Sequence, residues 1–251
     1  MRRPIVLILV AQILLGLVYA ASTPPFEASD EIWHFPVVRE LATTGHLPVQ
    51  APGVKTRWAQ EGSQPPLYYA VGTALTGWLD TSDFEQQAEV NPFAKLGVPG
   101  TADNINLVRH RPGQRPWQSG ALTAVYLIRL ASILMATGTV YATYRLAALV
   151  FPKRPRLALL AAALAAFNPM FLFISASVNN DNLAILLTSL ALWLLVADLT
   201  SAEPGPRWRS TILLGTVMSL AALSKLSGAV LLPISALVVT LSAWRQRSWR
   251  V

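Results

Sequence analysis

The chain has 251 residues, of which 53% are hydrophobic and 13% are charged, and its formal net charge is +7. Water-soluble domains carry about 25% charged residues, so this composition predicts a membrane protein and argues against a soluble enzyme. No basic stripe runs among aromatic residues, so nucleic acid is not an expected partner, and the absence of cysteine excludes disulfides and thiolate metal sites.

Six apolar stretches are candidate membrane spans, because a spanning helix needs about 20 predominantly apolar residues. The first follows a basic start, and its small terminal residues leave a cleaved signal peptide as the alternative. The predicted spans are 4–21, 119–150, 157–177, 182–199, 210–224 and 227–244. The second is too long for one straight crossing, so we expect its first turns to stand clear of the lipid.

Lys and Arg in the short connections predict how these spans are oriented. Residues 1–3, "FPKRPR", "PGPRWR" and "WRQRSWRV" hold two, three, two and three basic residues, whereas Lys225 is the exception among the alternate short loops. Because positive residues favour the cytoplasmic side, both termini are predicted to be cytoplasmic. Residues 22–118 then form a large extracytoplasmic loop.

Two helices are predicted in that large loop. Residues 30–43 have apolar positions at three-residue spacing, with Ser29 as the predicted N-cap. The stretch "QPPLYYAVGTALTGWL", residues 64–79, is a second apolar helix that is too short to span easily. Both are expected to lie along the outer membrane face, where Trp and Tyr are enriched. For residues 80–118, which are polar and rich in Pro and Gly, no regular structure is predicted.

Three titratable residues open the first of these helices in "SDEIWHF", residues 29–35. Adjacent helical residues diverge by about 100 degrees, so Asp30 and Glu31 cannot both act as a close acid/base pair. One of them can point into a site while the other caps, pairs or binds a cation. Acids in a first turn also simply favour the helix dipole. His34 lies on the same face as both, and it could orient a carboxylate or join a divalent cation site.

The predicted topology brings further polar residues to the same side of the membrane. Asn179, Asn180 and Asp181 emerge there, although a plain turn with an N-cap is the simpler interpretation. Lys225 joins the last two spans and could merely snorkel, and Arg129 is expected near the outer end of its span. Ionisable groups near a membrane face often turn inward and mark function, and these cations would suit an anionic phosphate.

Several stretches in one order resemble bacterial membrane glycosyltransferases of the GT-C superfamily, nearest to the protein O-mannosyltransferase-like branch and glycosyltransferase family 39. They are "ASDEIWHFPVVRELATTGHLP", "EGSQPPLYYAV", "NINLVRH", "FNPMFLFISASVNNDN" and "LSKLSGAVLLP". The resemblance runs from about residue 4 to the end. It implies an all-α polytopic membrane protein, a GT-C-like N-terminal half with about six transmembrane helices, in a bacterial inner membrane. Family members usually carry about twice as many spans, so this single domain, 1–251, is expected to be the N-terminal part of a longer protein or a short variant.

The resemblance also implies an activity and a site. Such enzymes pass a sugar from a polyprenyl-phosphate donor to a protein, lipid or glycan acceptor, and the acid of their first loop that serves as catalytic base maps to Asp30, with Glu31 beside it. Single displacement implies inversion at the anomeric carbon. Some members need Mg²⁺ or Mn²⁺, for which Asp30, Glu31 and Asp181 would be the ligands. The candidate substrate-binding residues are His34, Gln64, Tyr68, Tyr69, His110, Arg129, Asn180, Asp181 and Lys225.

Two other functional classes stay open from the sequence. A transporter or flippase would also be polytopic, but neither repeated halves nor a charged midplane cluster is evident. A non-catalytic membrane assembly partner is the other alternative. Tyr68 and Tyr69 could equally be interfacial anchors, and His110 could be solvated instead of contacting phosphate.

Overall fold

The structure is a computed structural model, which describes residues 2–95, 98–100, 104–111, 115–201 and 208–248. Within these ranges the chain is helical, and the one β-type pairing is an isolated antiparallel bridge between Val90 and Val108. The α-helices are α1 (Arg2–Ser22), α2 (Glu31–Thr44), α3 (Leu67–Thr76), α4 (Phe84–Gln87), α5 (Gly120–Val150), α6 (Pro155–Ala166), α7 (Pro169–Ser175), α8 (Asp181–Leu199), α9 (Trp208–Ser224) and α10 (Leu231–Ser248). Short 3-10 helices occupy Ala59–Ser63, Pro116–Gln118 and Leu226–Val230.

Three of the described helices are long and apolar enough to cross a membrane: α1, α5 and α8. A fourth crossing results if α6 and α7 are one span, although they meet at an angle of 61°. The break has a local cause, because Pro169 begins α7 and the Asn168 side chain accepts hydrogen bonds from the next backbone amides. The protein is therefore an all-α membrane protein, and the set of six spans stays a prediction.

Helix α5 lies at the centre of the bundle and packs against α1, α6 and α8. Its contact with α6 is built from small residues, since Val140 packs on Ala162 and Ala166, which lie one turn apart on α6. Small side chains let helix backbones approach closely, which is how helices pack in membranes without a hydrophobic driving force between them.

The segment between α1 and α5, residues 23–119, will be called the first loop, and it folds onto one end of the bundle. Phe26, Phe35 and Phe84 pack ring against ring at centroid distances of 5.5–5.8 Å, which joins the start of the loop to α2 and α4. At its end, Ser119 caps α5 by accepting from the amide of Leu122 at 3.1 Å. These aromatic rings belong to one hydrophobic cluster with residues of α5 and α8, so the loop shares its core with the helical bundle.

The helices of the first loop lie near the positions expected from the sequence. Helix α2 spans Glu31–Thr44, with Asp30 as the N-cap residue where Ser29 was expected. Helix α3 spans Leu67–Thr76, inside the predicted stretch 64–79. Residues 80–118 are not featureless, since they contain α4 and the Val90–Val108 bridge.

Candidate active site

The two neighbouring acids at the start of α2 point in different directions. Asp30 has a left-handed backbone conformation, φ 58° and ψ 1°, and its carbonyl accepts the first helical hydrogen bonds. Its side chain is half-buried, and the Ser29 hydroxyl donates to it at 3.4 Å. Aspartate tolerates this conformation better than most residues. The turn at Asp30 allows Glu31, the first helical residue, to enter the interior of the protein.

Glu31 forms an ion pair with Arg129 of α5, and both side chains are completely buried. Arg129 donates from Nε to Oε1 at 2.9 Å and from Nη2 to Oε2 at 2.5 Å, a two-pronged contact that fixes both groups. The Glu31 carboxylate also accepts from the backbone amides of Phe26 and Val178, each at 2.8 Å. All of its strong acceptor positions are therefore occupied by the protein.

Arg129 also donates hydrogen bonds to backbone carbonyls at the C-terminal end of α1. Its Nη1 donates to the carbonyls of Ala20 and Thr23 at 2.9 and 2.8 Å, and its Nη2 donates to the carbonyl of Pro24 at 3.1 Å. A cation at a helix C-terminus satisfies carbonyls that the helix leaves unpaired. The buried ion pair of Glu31 and Arg129 thus joins α1, α2, α5 and the turn before α8, and the structure brings Arg129 to Glu31 rather than to an open surface.

A second ion pair lies between the helices that follow. Lys225, just after α9, donates from Nζ to Oδ1 of Asp181 at 2.6 Å. The Lys225 side chain is 30% exposed and the Asp181 side chain is 36% exposed, so both can contact a ligand while the ion pair stays formed. Asp181 is the first residue of α8, where the helix dipole favours negative charge.

Asparagine side chains stabilise the turn that precedes Asp181. The Asn182 side chain donates to the carbonyls of Ile174, Ser177 and Asn179, which closes the turn from inside. The amide of Asp181 donates to the side chain of Asn179 at 2.9 Å. The predicted cap, Asn180, makes no side-chain capping bond; it instead lies 3.4 Å from the Gln64 side chain and from the carbonyl of Ser224. The side chains of Asn179 and Asn182 therefore stabilise the turn, whereas the side chain of Asn180 contacts Gln64 and Ser224.

Tyr68 and Tyr69 of α3 are both buried, at 1% and 0% exposure, so protein atoms cover their rings. The hydroxyl of Tyr68 lies 3.1 Å from that of Ser132 on α5, and it accepts from the amide of Asn179 at 3.0 Å. The hydroxyl of Tyr69 lies 2.9 Å from Nδ1 of His34. Burial raises the pKa of both phenols, so they serve as neutral hydrogen-bonding groups that support the site.

His34 and Glu61 form a buried titratable pair beside Tyr69. Nδ1 of His34 lies 3.5 Å from Oε2 of Glu61, and the two side chains are 3% and 8% exposed. Burial lowers the pKa of His34 to about 4, and the nearby positive charge of Lys225 also lowers it. Burial raises the pKa of Glu61, and the negative charge of Asp30 raises it further. His34 is therefore neutral under ordinary conditions, and Glu61 is more readily protonated than a free glutamate.

Glu61 is the member of the site that the sequence reasoning missed. It lies in the 3-10 helix Ala59–Ser63, a few residues before the two prolines that precede α3. Asp30, Asp181 and Lys225 all lie near enough to influence its pKa. Asp30, Glu61, Asp181 and Lys225 will be called the charged cluster. The available signal was the stretch "EGSQPPLYYAV", in which Glu61 is the first residue.

His110 lies in a separate part of the first loop. Its Nε2 is 2.8 Å from Oε1 of Glu27, and the same carboxylate accepts from the amides of Leu107 and Val108, each at 2.9 Å. These contacts tie two parts of the loop together. His110 therefore has a structural partner, Glu27, which lies outside the charged cluster.

The described residues do not offer an evident metal site. No group of three or more His, Cys, Asp or Glu residues in the described ranges is placed to hold a metal ion. Of the acids that the sequence suggested as ligands, Glu31 is saturated by Arg129 and backbone amides, and Asp181 is paired with Lys225. Mg²⁺ and Mn²⁺ prefer several free oxygen ligands, and a requirement for either metal stays a prediction.

Comparison with known proteins gives one match. A family model described as dolichyl-phosphate-mannose-protein mannosyltransferase matches residues 123–251, just over half of the chain. No curated protein and no solved structure matches the chain. Arg129, Asp181 and Lys225 lie inside the matched region, whereas Asp30, His34 and Glu61 precede it.

Proposed function

The chain belongs to the dolichyl-phosphate-mannose-protein mannosyltransferase family, whose members are glycosyltransferases, and on that premise we propose a specific reaction. The protein transfers a sugar from a polyprenyl-phosphate donor to a hydroxyl of a protein, lipid or glycan acceptor, with inversion at the anomeric carbon. The reaction takes place at the outer face of a bacterial inner membrane, with both termini in the cytoplasm.

The observation that carries this proposal is the charged cluster at one end of an apolar helical bundle. It combines a half-buried carboxylate, Asp30, with an ammonium group, Lys225, that is 30% exposed. A lipid-linked donor would keep its prenyl chain in the bilayer and its phosphate at the end of the bundle. The carboxylate and the ammonium then supply the base and the counter-charge that the transfer needs.

The proposed step is a single displacement. The acceptor O–H bond breaks and its proton passes to the Asp30 carboxylate, while the acceptor oxygen bonds to the anomeric carbon. The bond from that carbon to the phosphate oxygen breaks, and its electron pair stays on the phosphate. Lys225 stabilises the negative charge that develops there. Because a lipid phosphate is a stable anion, no general acid is needed, and attack from the opposite side inverts the anomeric configuration.

Asp30 suits the base role better than its neighbour does. Glu31 accepts four hydrogen bonds from the protein and is completely buried. Asp30 has no side-chain capping bond and is half-exposed. Its left-handed conformation is uncommon for a residue other than glycine and is of the kind that concentrates at functional sites. We therefore assign Glu31 a positioning role.

The test uses membranes that contain the full chain and dolichyl-phosphate-mannose labelled in the sugar. Asp30→Asn is expected to reduce transfer of label to acceptors by a factor of about 10² or more, as expected for loss of a general base. The matched control is Glu40→Gln, which neutralises another acid of α2.

Three outcomes would contradict the proposal in different ways. Equal transfer by wild type and Asp30→Asn would remove Asp30 from the mechanism. Movement of intact labelled lipid across the bilayer, with no transfer and no dependence on Asp30, would indicate a flippase. If neither sugar transfer nor lipid movement is detected, the result would favour a non-catalytic membrane assembly partner.

A further inference from the structure

We propose that Glu61 takes up a proton when the anionic donor binds, so that affinity for a prenyl-phosphate sugar is coupled to pH. This inference rests on the proposed function, because the ligand is the proposed donor. It concerns binding rather than transfer, and Glu61 enters as a positioning residue that touches neither reacting atom.

The geometry isolates Glu61 from water but not from other charges. Its side chain is 8% exposed, and Nδ1 of His34 lies 3.5 Å away. The same ring nitrogen is 2.9 Å from the Tyr69 hydroxyl, and the two rings stack with centroids 5.9 Å apart. A carboxylate placed in such a setting loses hydration, which disfavours its charged form.

No neighbour supplies a full counter-charge to Glu61. The charged and titratable groups that act on it are Asp30 and His34 from α2, Tyr69 from α3, Asp181 from α8 and Lys225 after α9. His34 and Tyr69 are neutral, because burial disfavours the imidazolium and the phenolate. Lys225 is already paired with Asp181 at 2.6 Å. An ionised Glu61 would therefore be a second negative charge beside Asp30, and no positive charge would be left to offset it.

The arrival of a phosphate makes this imbalance larger. With every carboxylate ionised, the charged cluster holds three negative groups and one positive group. The buried ion pair of Glu31 and Arg129 is self-neutralising and offers no spare positive charge. A donor phosphodiester adds another negative charge, and like charges close together disfavour one another, most of all the buried Glu61 carboxylate. Protonating Glu61 removes one negative charge while leaving Asp30 ionised to act as the base.

The first measurement is the affinity of the detergent-purified chain for dolichyl-phosphate-mannose as a function of pH. This probe is a phosphodiester, so it lacks the second ionisation of a phosphate monoester, which falls at pH ~6. The wild type is expected to lose affinity as the pH rises through the titration of Glu61. The limit for linked uptake of one proton is about tenfold per pH unit.

The Glu61→Gln variant provides the sharpest contrast, because the amide mimics a protonated carboxyl in size and charge. At high pH it is expected to bind the donor more tightly than the wild type, by about tenfold, and its affinity should not change across the same range. A purely structural role for Glu61 predicts the opposite sign, namely weaker binding by the variant. Glu40→Gln serves as the matched control, and uncharged dolichol serves as the control ligand.

Proton uptake by the wild type can be measured directly by calorimetry in two buffers of different ionisation enthalpy, even if Glu61→Gln folds poorly. Uptake of a substantial fraction of one proton on binding supports the proposal. Binding of the donor with no proton exchange and no pH dependence overturns it while leaving the proposed transfer reaction intact. Failure of the folded wild type to bind the donor at any pH overturns both.

Discussion

Two acidic residues that are neighbours in sequence belong to two different regions of this molecule. Glu31 lies in the buried ion pair with Arg129, where every charge is neutralised and hydrogen-bonded. Asp30 lies in the charged cluster, where Asp181 and Lys225 are about one third exposed. The first region joins helices, and the second is open to a ligand.

Two acids adjacent in sequence can thus have different environments, because one turn of the backbone directs Glu31 inward and leaves Asp30 half-buried. A carboxylate that accepts two backbone amides and a two-pronged arginine has no capacity left for a substrate. A carboxylate with a half-exposed side chain keeps that capacity. Substitutions in the two regions should therefore differ in their effects on stability and on ligand binding.

Removing one member of the buried ion pair should give the largest loss of stability. Arg129→Met leaves the Glu31 carboxylate buried without a counter-charge, which typically costs about 3–5 kcal/mol of unfolding free energy. Denaturation in detergent, followed by helical circular dichroism, measures it. The double variant Glu31→Gln with Arg129→Met removes both charges and is expected to recover part of the loss.

A matched control exists at the other end of α5. Arg145 stacks 4.6 Å from the centroid of the Trp193 ring and is only partly buried. Arg145→Met should therefore cost much less than Arg129→Met. Equal effects of the two substitutions would show that the buried ion pair has no special structural role.

Acidification should destabilise the protein through His34. The pKa of this imidazole is lowered from 6.5 to about 4 in the folded protein, so the unfolded chain binds its proton more readily. The resulting stability is present above pH 6.5 and is lost as the pH falls to about 4, by up to roughly 3 kcal/mol. Glu61, whose pKa is raised, acts in the opposite direction, because its contribution is lost as the pH rises.

The His34 contribution can be separated from other acid effects by substitution. In His34→Gln, the loss of stability between pH 6.5 and 4 should shrink relative to the wild type. The same substitution at the exposed His46, His46→Gln, supplies the matched control for the change of side chain. An unchanged pH profile in His34→Gln would contradict the assignment.

Removing the cation of the charged cluster should affect ligand binding more than stability. Partly exposed ion pairs contribute about 0–1 kcal/mol to folding, so Lys225→Met is expected to unfold nearly as the wild type does. Its affinity for dolichyl-phosphate-mannose should fall by about tenfold, or ~1.4 kcal/mol. Lys153→Met, in the exposed turn between α5 and α6, is the control. A large loss of stability with unchanged affinity would reverse the roles of the two regions.

The smallest expected change is the stability of Asp30→Asn. Asparagine also tolerates the left-handed conformation of this residue, and Asp30 makes no side-chain capping bond. The free energy of unfolding should therefore change by no more than about 0.5 kcal/mol, although transfer is lost. A loss comparable to that of Arg129→Met would place Asp30 in the structural region.

Apolar run lengths predicted much of the helical fold. The stretches 4–21, 119–150 and 182–199 correspond closely to α1, α5 and α8, because long apolar helices leave a strong composition signal. The break at Asn168 was less accessible, since a capped proline turn inside an apolar run looks much like continuous helix. The fold of residues 80–118 also escaped prediction, because it depends on distant contacts such as that of Glu27 with Leu107 and Val108.

The site was predictable in part for a similar reason. The predicted topology and the motif resemblance drew attention to Asp30, Asp181 and Lys225, whose roles stay predictions. No local pattern could pair Glu31 with Arg129, because the partners lie 98 positions apart. Glu61 escaped because its proximity to His34 arises only when the 3-10 helix folds against α2. Charged residues close in space but far apart in sequence are what pattern reasoning cannot supply.

The position of Arg129 also has a consequence for the order in which this protein can mature. Glu31 leaves the ribosome long before Arg129 does, so the early part of the chain must wait for its cation through nearly a hundred residues of synthesis. Until α5 enters the bilayer, the end of α1 has no guanidinium to collect its carbonyls. The buried ion pair of Glu31 and Arg129 can therefore form only after α5 has been synthesised.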